Sequence, residues 1–170
     1  MHSVTIRKVI AHHWENLFDL VLDVERYPQF VPGCVRDRVL SRRDLPDGSC
    51  EIISRMTVGM QPLQVSYTNR TRADRIGHRI SVDSADGPMR HLKVLWRFDP
   101  SGDHATHITL AANYEFRSPV LETIAGRMFA RLFGEMVDAF EHRAAIATLT
   151  ERRTTQGKAA GGTSAPGPFA

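Results

Sequence analysis

The stretch Gly87-Pro88-Met89-Arg90-His91-Leu92-Lys93-Val94-Leu95-Trp96-Arg97-Phe98 decides how this chain is read. From Arg90 onward its side chains alternate. Leu92, Val94, Trp96 and Phe98 share one face of a strand, because successive strand side chains point to opposite sides of a sheet. His91, Lys93 and Arg97 share the other face, with Leu95 the apolar exception. A strand with one oily, aromatic face and one basic face belongs to an antiparallel sheet buried on one side. The stripe of Leu92, Val94, Trp96 and Phe98 is then either ordinary core or the wall of a binding site.

Alternation continues on both sides of this strand. Ser3–Ile10 reads as a strand, and Trp14, Leu17, Phe18, Val21 and Leu22 follow at helical spacing. That helix is expected to stop near Val24, since the proline of Tyr27-Pro28 favours an extended residue before it. Tyr27–Gly33 reads as a loop whose Tyr27, Phe30 and Val31 form a lid, a membrane-docking point or a satellite cluster on the first helix. Strands are predicted over Val35–Ser41, Cys50–Val58, Leu63–Thr71, Arg75–Asp83 and His104–Phe116. In the fourth of these, Ile76, His78, Ile80 and Val82 are expected on one face. In the last, Ile108, Leu110, Ala112, Tyr114 and Phe116 are.

Ser118 and Pro119 suit the N-cap and first position of a long helix, expected to end at about Leu149. At ~1.5 Å per residue it spans roughly 45 Å, enough to cross a domain. Its apolar positions are Leu121, Ile124, Met128, Leu132, Met136, Phe140 and Ala144, widened by Phe129, Phe133 and Val137. Gly126 and Gly134 either ease close packing or leave room for a ligand.

The predicted fold class is α+β: about seven antiparallel strands in a curved sheet wrapped around the long C-terminal helix. The gap between sheet and helix is the natural place for an apolar cavity. Residues 1–149 form the expected domain, and 150–170 an expected disordered tail, rich in Gly, Ala, Thr and Pro.

Composition narrows the function classes. With 170 residues, 42% of them hydrophobic, the chain suits one domain with a sizeable core. No apolar run reaches the ~18 residues of a membrane span, and the start lacks the pattern of a signal peptide. The expected location is the cytoplasm, at most peripheral to the inner face of a membrane. Cys34 and Cys50 are expected as free thiols. Of the net charge of +3, residues 151–170 supply +2, which argues against a dedicated nucleic-acid binder and against DNA as a partner. Arg55, Arg70, Arg72, Arg75 and Arg79 form either a solvated outer face or a dock for anionic lipid or ribosomal RNA. His12-His13 diverge and His104-x-x-His107 is a poor chelate, so no metal site is expected. No nucleophile elbow, Walker or Rossmann pattern is present, and no catalytic residue is assigned.

Three strings together resemble the coenzyme Q-binding START-like family, within the polyketide cyclase/START helix-grip superfamily. They are Phe18–Val21 with Asp23–Cys34 and its Tyr-Pro-x-Phe-x-Pro-x-Cys core, Gly87–Leu92, and Trp96-Arg97-Phe98, with Phe140–Ala144 also fitting. The resemblance covers roughly residues 3–147 and departs at Met89, where phenylalanine is more usual. It implies a helix-grip fold with a lipid cavity, ubiquinone as bound ligand, no cofactor and no catalysis. Tyr27, Phe30, Val31, Leu92, Val94 and Trp96 are the expected ligand contacts, with Phe98, Tyr114, Met128 and Leu132. His78 and Tyr114 are candidates to orient the ring. The same resemblance extends to RatA-like members, which implies an alternative role: binding the ribosome and inhibiting translation. A cyclase or hydrolase would need a titratable pair inside the pocket, and the faces assigned inward offer almost none.

Overall fold

The computed structural model describes residues 1–60 and 63–160, without the side chains of 60, 63, 121, 124–128 and 147–160. Strand β1 (His2–Ile10) leads into helix α1 (Trp14–Leu22) and a short 3-10 helix (Val24–Gln29). Six strands follow: β2 (Cys34–Asp44), β3 (Cys50–Met60), β4 (Leu63–Asp74), β5 (Arg79–Ser84), β6 (Met89–Pro100) and β7 (Thr106–Phe116). Helix α2 (Pro119–Ala160) closes the fold. All strand pairings are antiparallel, in the order β1-β7-β6-β5-β4-β3-β2, so β1 and β2 are the two edges. This is the expected α+β helix-grip architecture.

The register carries the apolar stripe of β6 from β1 as far as β3. Ile6, Leu110, Trp96, Ile80 and Ala73 form one transverse row on the concave face. Val4, Ala112, Val94, Val82, Thr71 and Ile52 form the next. Helix α2 packs on β1, β7 and α1. Its buried line is Phe133, Val137, Phe140 and Ala144, with Phe129, Leu132 and Met136 half-buried beside it. Phe133 and Val137, expected only to widen the stripe, thus belong to its buried line.

Three local features depart from expectation. The segment after Val24 is helical rather than loop, because Pro28 fits a tight 3-10 turn that ends at once. Residues 75–78 form a turn, so β5 starts only at Arg79; Ile76 is 88% exposed and His78 takes a left-handed φ of 49°. Gly77 directs this turn, where a Cβ would collide with the Asp74 carboxylate. Helix α2 runs on past Leu149 through residues 150–160, part of the expected tail, since Ala, Arg, Lys and Gln propagate a nucleated helix cheaply. Residues 161–170 lie outside the described residues. A Cβ on Gly134 would meet nothing within 4 Å, so close packing does not account for that glycine; Gly126 lies outside the described side chains.

Candidate ligand-binding site

The aromatic residues among the expected contacts meet in two clusters between sheet and helix. In the first, Phe140 of α2 receives three rings edge-on: Tyr27 at 5.4 Å, Phe30 at 5.2 Å and Trp96 at 5.4 Å. Trp96 also stacks on Phe98 at 6.2 Å, and Phe18 of α1 covers Phe98 at 5.3 Å. Such ring pairs contribute about 0.5–1.5 kcal/mol each beyond area burial. Tyr27, Trp96 and Phe98 are buried, while Phe30 and Val31 remain half-buried. The Tyr27 hydroxyl donates to the Val21 carbonyl, which ties the 3-10 helix to α1.

In the second cluster Tyr114 lies 5.1 Å from Phe129, 6.0 Å from Phe133 and 6.0 Å from Phe116. His2 stacks on its other side at 5.1 Å and pairs with Glu122 at 2.6 Å. Leu92 and Val94 lie buried between the clusters on the concave face. Leu132 approaches the loop at Gly33, where an added Cβ would sit 3.8 Å from its Cδ2. Met128 lies outside the described side chains. His78 does not reach the concave face: it stacks on Trp14 at 4.1 Å, so it cannot orient a ring held under α2.

The structure adds polar residues that the alternation of the sequence did not reveal. At the β2–β4 end of the concave face, Asp37 pairs with Met56 and Met56 with Tyr67, while Ser54 pairs with Asn69. Asp37 is 5% exposed, Ser54 1% and Asn69 6%. Both Asp37 oxygens, Ser54 Oγ and Asn69 Oδ1 lack a hydrogen-bond partner among the described residues. Burial pushes the Asp37 carboxyl up to about 6, and the charge of Glu25 adds to this. The Ser54 hydroxyl and the Arg38 amide pull the other way without forming a hydrogen bond of ordinary geometry. Around Asp37 the Cys34 thiol is pushed up to about 12, again mainly by burial, and the Tyr27 and Tyr67 hydroxyls are pushed up as well. The Tyr67 hydroxyl donates to Met56 Sδ at 3.2 Å.

Asp37 reaches the inner face through a β-bulge. The β2–β3 register shifts between Cys34 and Arg36, so Val35 and Arg36 both point outward before Asp37 turns in. Strict alternation from the buried Cys34 would have put Asp37 outside.

The outer face is laced with ion pairs. Arg70 and Arg43 share Glu51, Arg72 pairs with Asp47, Arg75 with Asp19, Arg79 with Asp74 and Arg55 with Asp86. Among the described residues, Arg36, Arg38 and Arg42 of β2 take part in no ion pair, and no helix is long and apolar enough to cross a membrane.

A curved antiparallel sheet gripping a long helix, with an aromatic interior, defines a class used for lipid transport and for cyclisation. Residues 10–141 match the family described as polyketide cyclase / dehydrase and lipid transport, and the chain belongs to that family. Within it the chain is similar to the ribosome association toxin RatA of Rickettsia prowazekii, 31% identical over 85% of this chain and 97% of the relative. It is also similar to the mitochondrial coenzyme Q-binding protein COQ10 homolog B of Xenopus laevis, 31% identical over 81% of this chain and 55% of that protein. The solution structure of the 18 kDa protein CC1736 from Caulobacter crescentus matches with a TM-score of 0.71 and 30% identity, over 87% of this chain and 99% of that one. The Zhui aromatase/cyclase from Streptomyces shares the fold, with a TM-score of 0.69 and 16% identity over 85% of this chain and 93% of that one.

Proposed function

We propose that this chain is a non-catalytic binding protein for an isoprenoid lipid, with the polyprenylated quinone ubiquinone as its ligand and transfer or shielding of that lipid as its role. The observation that carries this reading is the apolar row Ile6, Leu110, Trp96 and Ile80 across β1 and β5–β7, set opposite the aromatic line Phe129, Phe133 and Phe140 of α2. A lipid tail lodged between them gains about 25 cal/mol for each Å² removed from water, without needing any reactive group. Similarity to a protein named for coenzyme Q binding supports the choice of ligand. Among the described residues no activated nucleophile stands beside the buried Asp37 carboxyl. Its neighbours Cys34, Tyr27 and Tyr67 all have raised pKa values, so at neutral pH they stay protonated and none is a ready nucleophile.

The test is mass spectrometry of lipids extracted from protein purified out of a quinone-producing host, together with titration of added decylubiquinone. Quinone above the level of a control protein, or saturable binding of the added compound, supports the reading. Neither result being obtained overturns it.

A second reading is association with the ribosome. It is favoured by the similarity to proteins named ribosome association toxin RatA and by the exposed Arg36, Arg38 and Arg42 on edge strand β2. Co-sedimentation with ribosomal subunits, lost in a triple Arg→Glu variant of these three positions, would establish it. Binding that survives the triple variant would remove β2 from the argument.

A further inference from the structure

The concave face changes character toward β2. Its β6 and β7 part is lined mainly by aliphatic and aromatic side chains, whereas its β2–β4 part presents Asp37, Ser54 and Asn69 in adjacent register positions. Each of the three is more than nine-tenths buried, and each carries an oxygen without a hydrogen-bond partner among the described residues. Buried polar groups ordinarily find partners, and leaving one unmade costs free energy. The bulge at Val35 that swings Asp37 inward makes this arrangement a specific feature of the strand rather than the result of regular alternation.

The balance of donors and acceptors identifies what fits. An ionised carboxylate only accepts, and its two oxygens offer several lone pairs. Asn69 Oδ1 accepts as well, while the Asn69 amide nitrogen points toward Met56 Sδ at 4.0 Å. The Ser54 hydroxyl is the one group able to serve either way. The cluster therefore has an excess of acceptors.

We propose that Asp37, Ser54 and Asn69 form a hydrogen-bond-accepting subsite for the hydroxyl group of an otherwise apolar ligand. This rests on the reading of the sheet–helix space as a lipid site, and it states which head group that site selects. A phenol or alcohol donates its proton to the Asp37 carboxylate. A carbonyl or ether at the same place finds only the Ser54 hydroxyl able to donate to it, against the acceptors of Asp37 and Asn69. For a quinone couple, the dihydroxy form binds more tightly than the dicarbonyl form.

The experiment uses the full chain at neutral pH and two probe pairs: para-decylphenol with para-decylanisole, and decylubiquinol with decylubiquinone. Calorimetric titration is expected to show the phenol binding about tenfold tighter than the anisole, the usual scale of a hydrogen bond to a charged group. The ratio should fall close to one in Asp37→Leu. If that variant does not fold, the near-isosteric Asp37→Asn and the variant Asn69→Leu must each narrow the ratio. Equal binding of phenol and anisole by wild type, or a preference unchanged in these variants, overturns the subsite. Asp37-dependent phenol preference without binding of either quinone form keeps the subsite and removes ubiquinone as the ligand. Binding of the quinone forms with no preference for hydroxyl probes does the reverse, and binding of none of the four overturns both.

Discussion

Trp96 of β6 meets Phe140 of α2 edge-on at 5.4 Å, and this contact joins the centre of the sheet to the middle of the long helix. Trp96 is buried and is supported by Phe98 beneath it and by Ile80 and Leu110 on either side. Trp96→Ala is expected to lower the unfolding free energy by about 3–5 kcal/mol, the usual cost of deleting a large buried aromatic. Urea denaturation measures it. A loss below about 1 kcal/mol would mean that the sheet–helix contact does not depend on this ring.

Asp37 sets a pH dependence whose sign follows from its environment. Its folded-state pKa of about 6 lies above the ordinary 3.8, so the native state holds the proton more tightly than the unfolded chain does. Stability should therefore fall as pH rises from about 4 to about 6 and level off above, by roughly 3 kcal/mol in total. Asp37→Asn removes the buried charge. It should flatten that segment of the profile and raise the thermal midpoint at neutral pH. An unchanged profile in the variant would show that Asp37 is not the group responsible.

Tyr27→Phe keeps the rings against Phe30 and Phe140 but deletes the hydroxyl that donates to Val21. The Val21 carbonyl is then left without that donor, at an expected cost of about 1–3 kcal/mol. Chemical denaturation of the pair measures it directly, and hydrogen exchange at Val24–Gln29 should accelerate as the 3-10 helix loosens from α1.

Gly87 and Gly48 make a matched test of close approach. Both have left-handed φ values, 57° and 80°. A Cβ on Gly87 would collide with the Ser66 carbonyl oxygen, whereas one on Gly48 would meet nothing within 4 Å. Gly48→Ala should therefore cost only the conformational strain of about 1 kcal/mol, and Gly87→Ala clearly more. Equal midpoints for the two variants would contradict the tight approach of the β5–β6 turn to β4.

The fold was legible in the sequence wherever burial alternates without interruption. In β6 and β7 every second residue from Leu92 to Phe98 and from Ile108 to Phe116 is buried, as the pattern predicts. The reading failed where one residue breaks the period. The turn at Gly77 took Ile76 and His78 out of the strand they were expected to share with Ile80. The bulge after Cys34 concealed Asp37, because a bulge shifts the inward set by one residue and leaves no mark in composition. Ser54 alternates with Ile52 and Met56 in β3, but a serine on an apolar face does not announce an acceptor cluster until its neighbours Asn69 and Asp37 are placed. The aromatic part of the candidate site was thus readable from β6 outward, and its polar end required the register of β2–β4.

The same irregularities in β2 affect how copies of this protein meet. An open sheet ends in a strand with unpaired backbone groups, a template on which another chain can add a strand. Here that strand is twice offset from its partner, after Cys34 and after Val39, and presents Arg36, Arg38, Arg42 and Arg43 to solvent. A second β2 brought alongside would face like charges and a backbone whose hydrogen-bonding groups do not keep a regular spacing. The bulge that turns Asp37 inward therefore also guards the edge against sheet-to-sheet aggregation, so restoring a regular strand there by deleting Val35 would remove one of the obstacles to polymerisation.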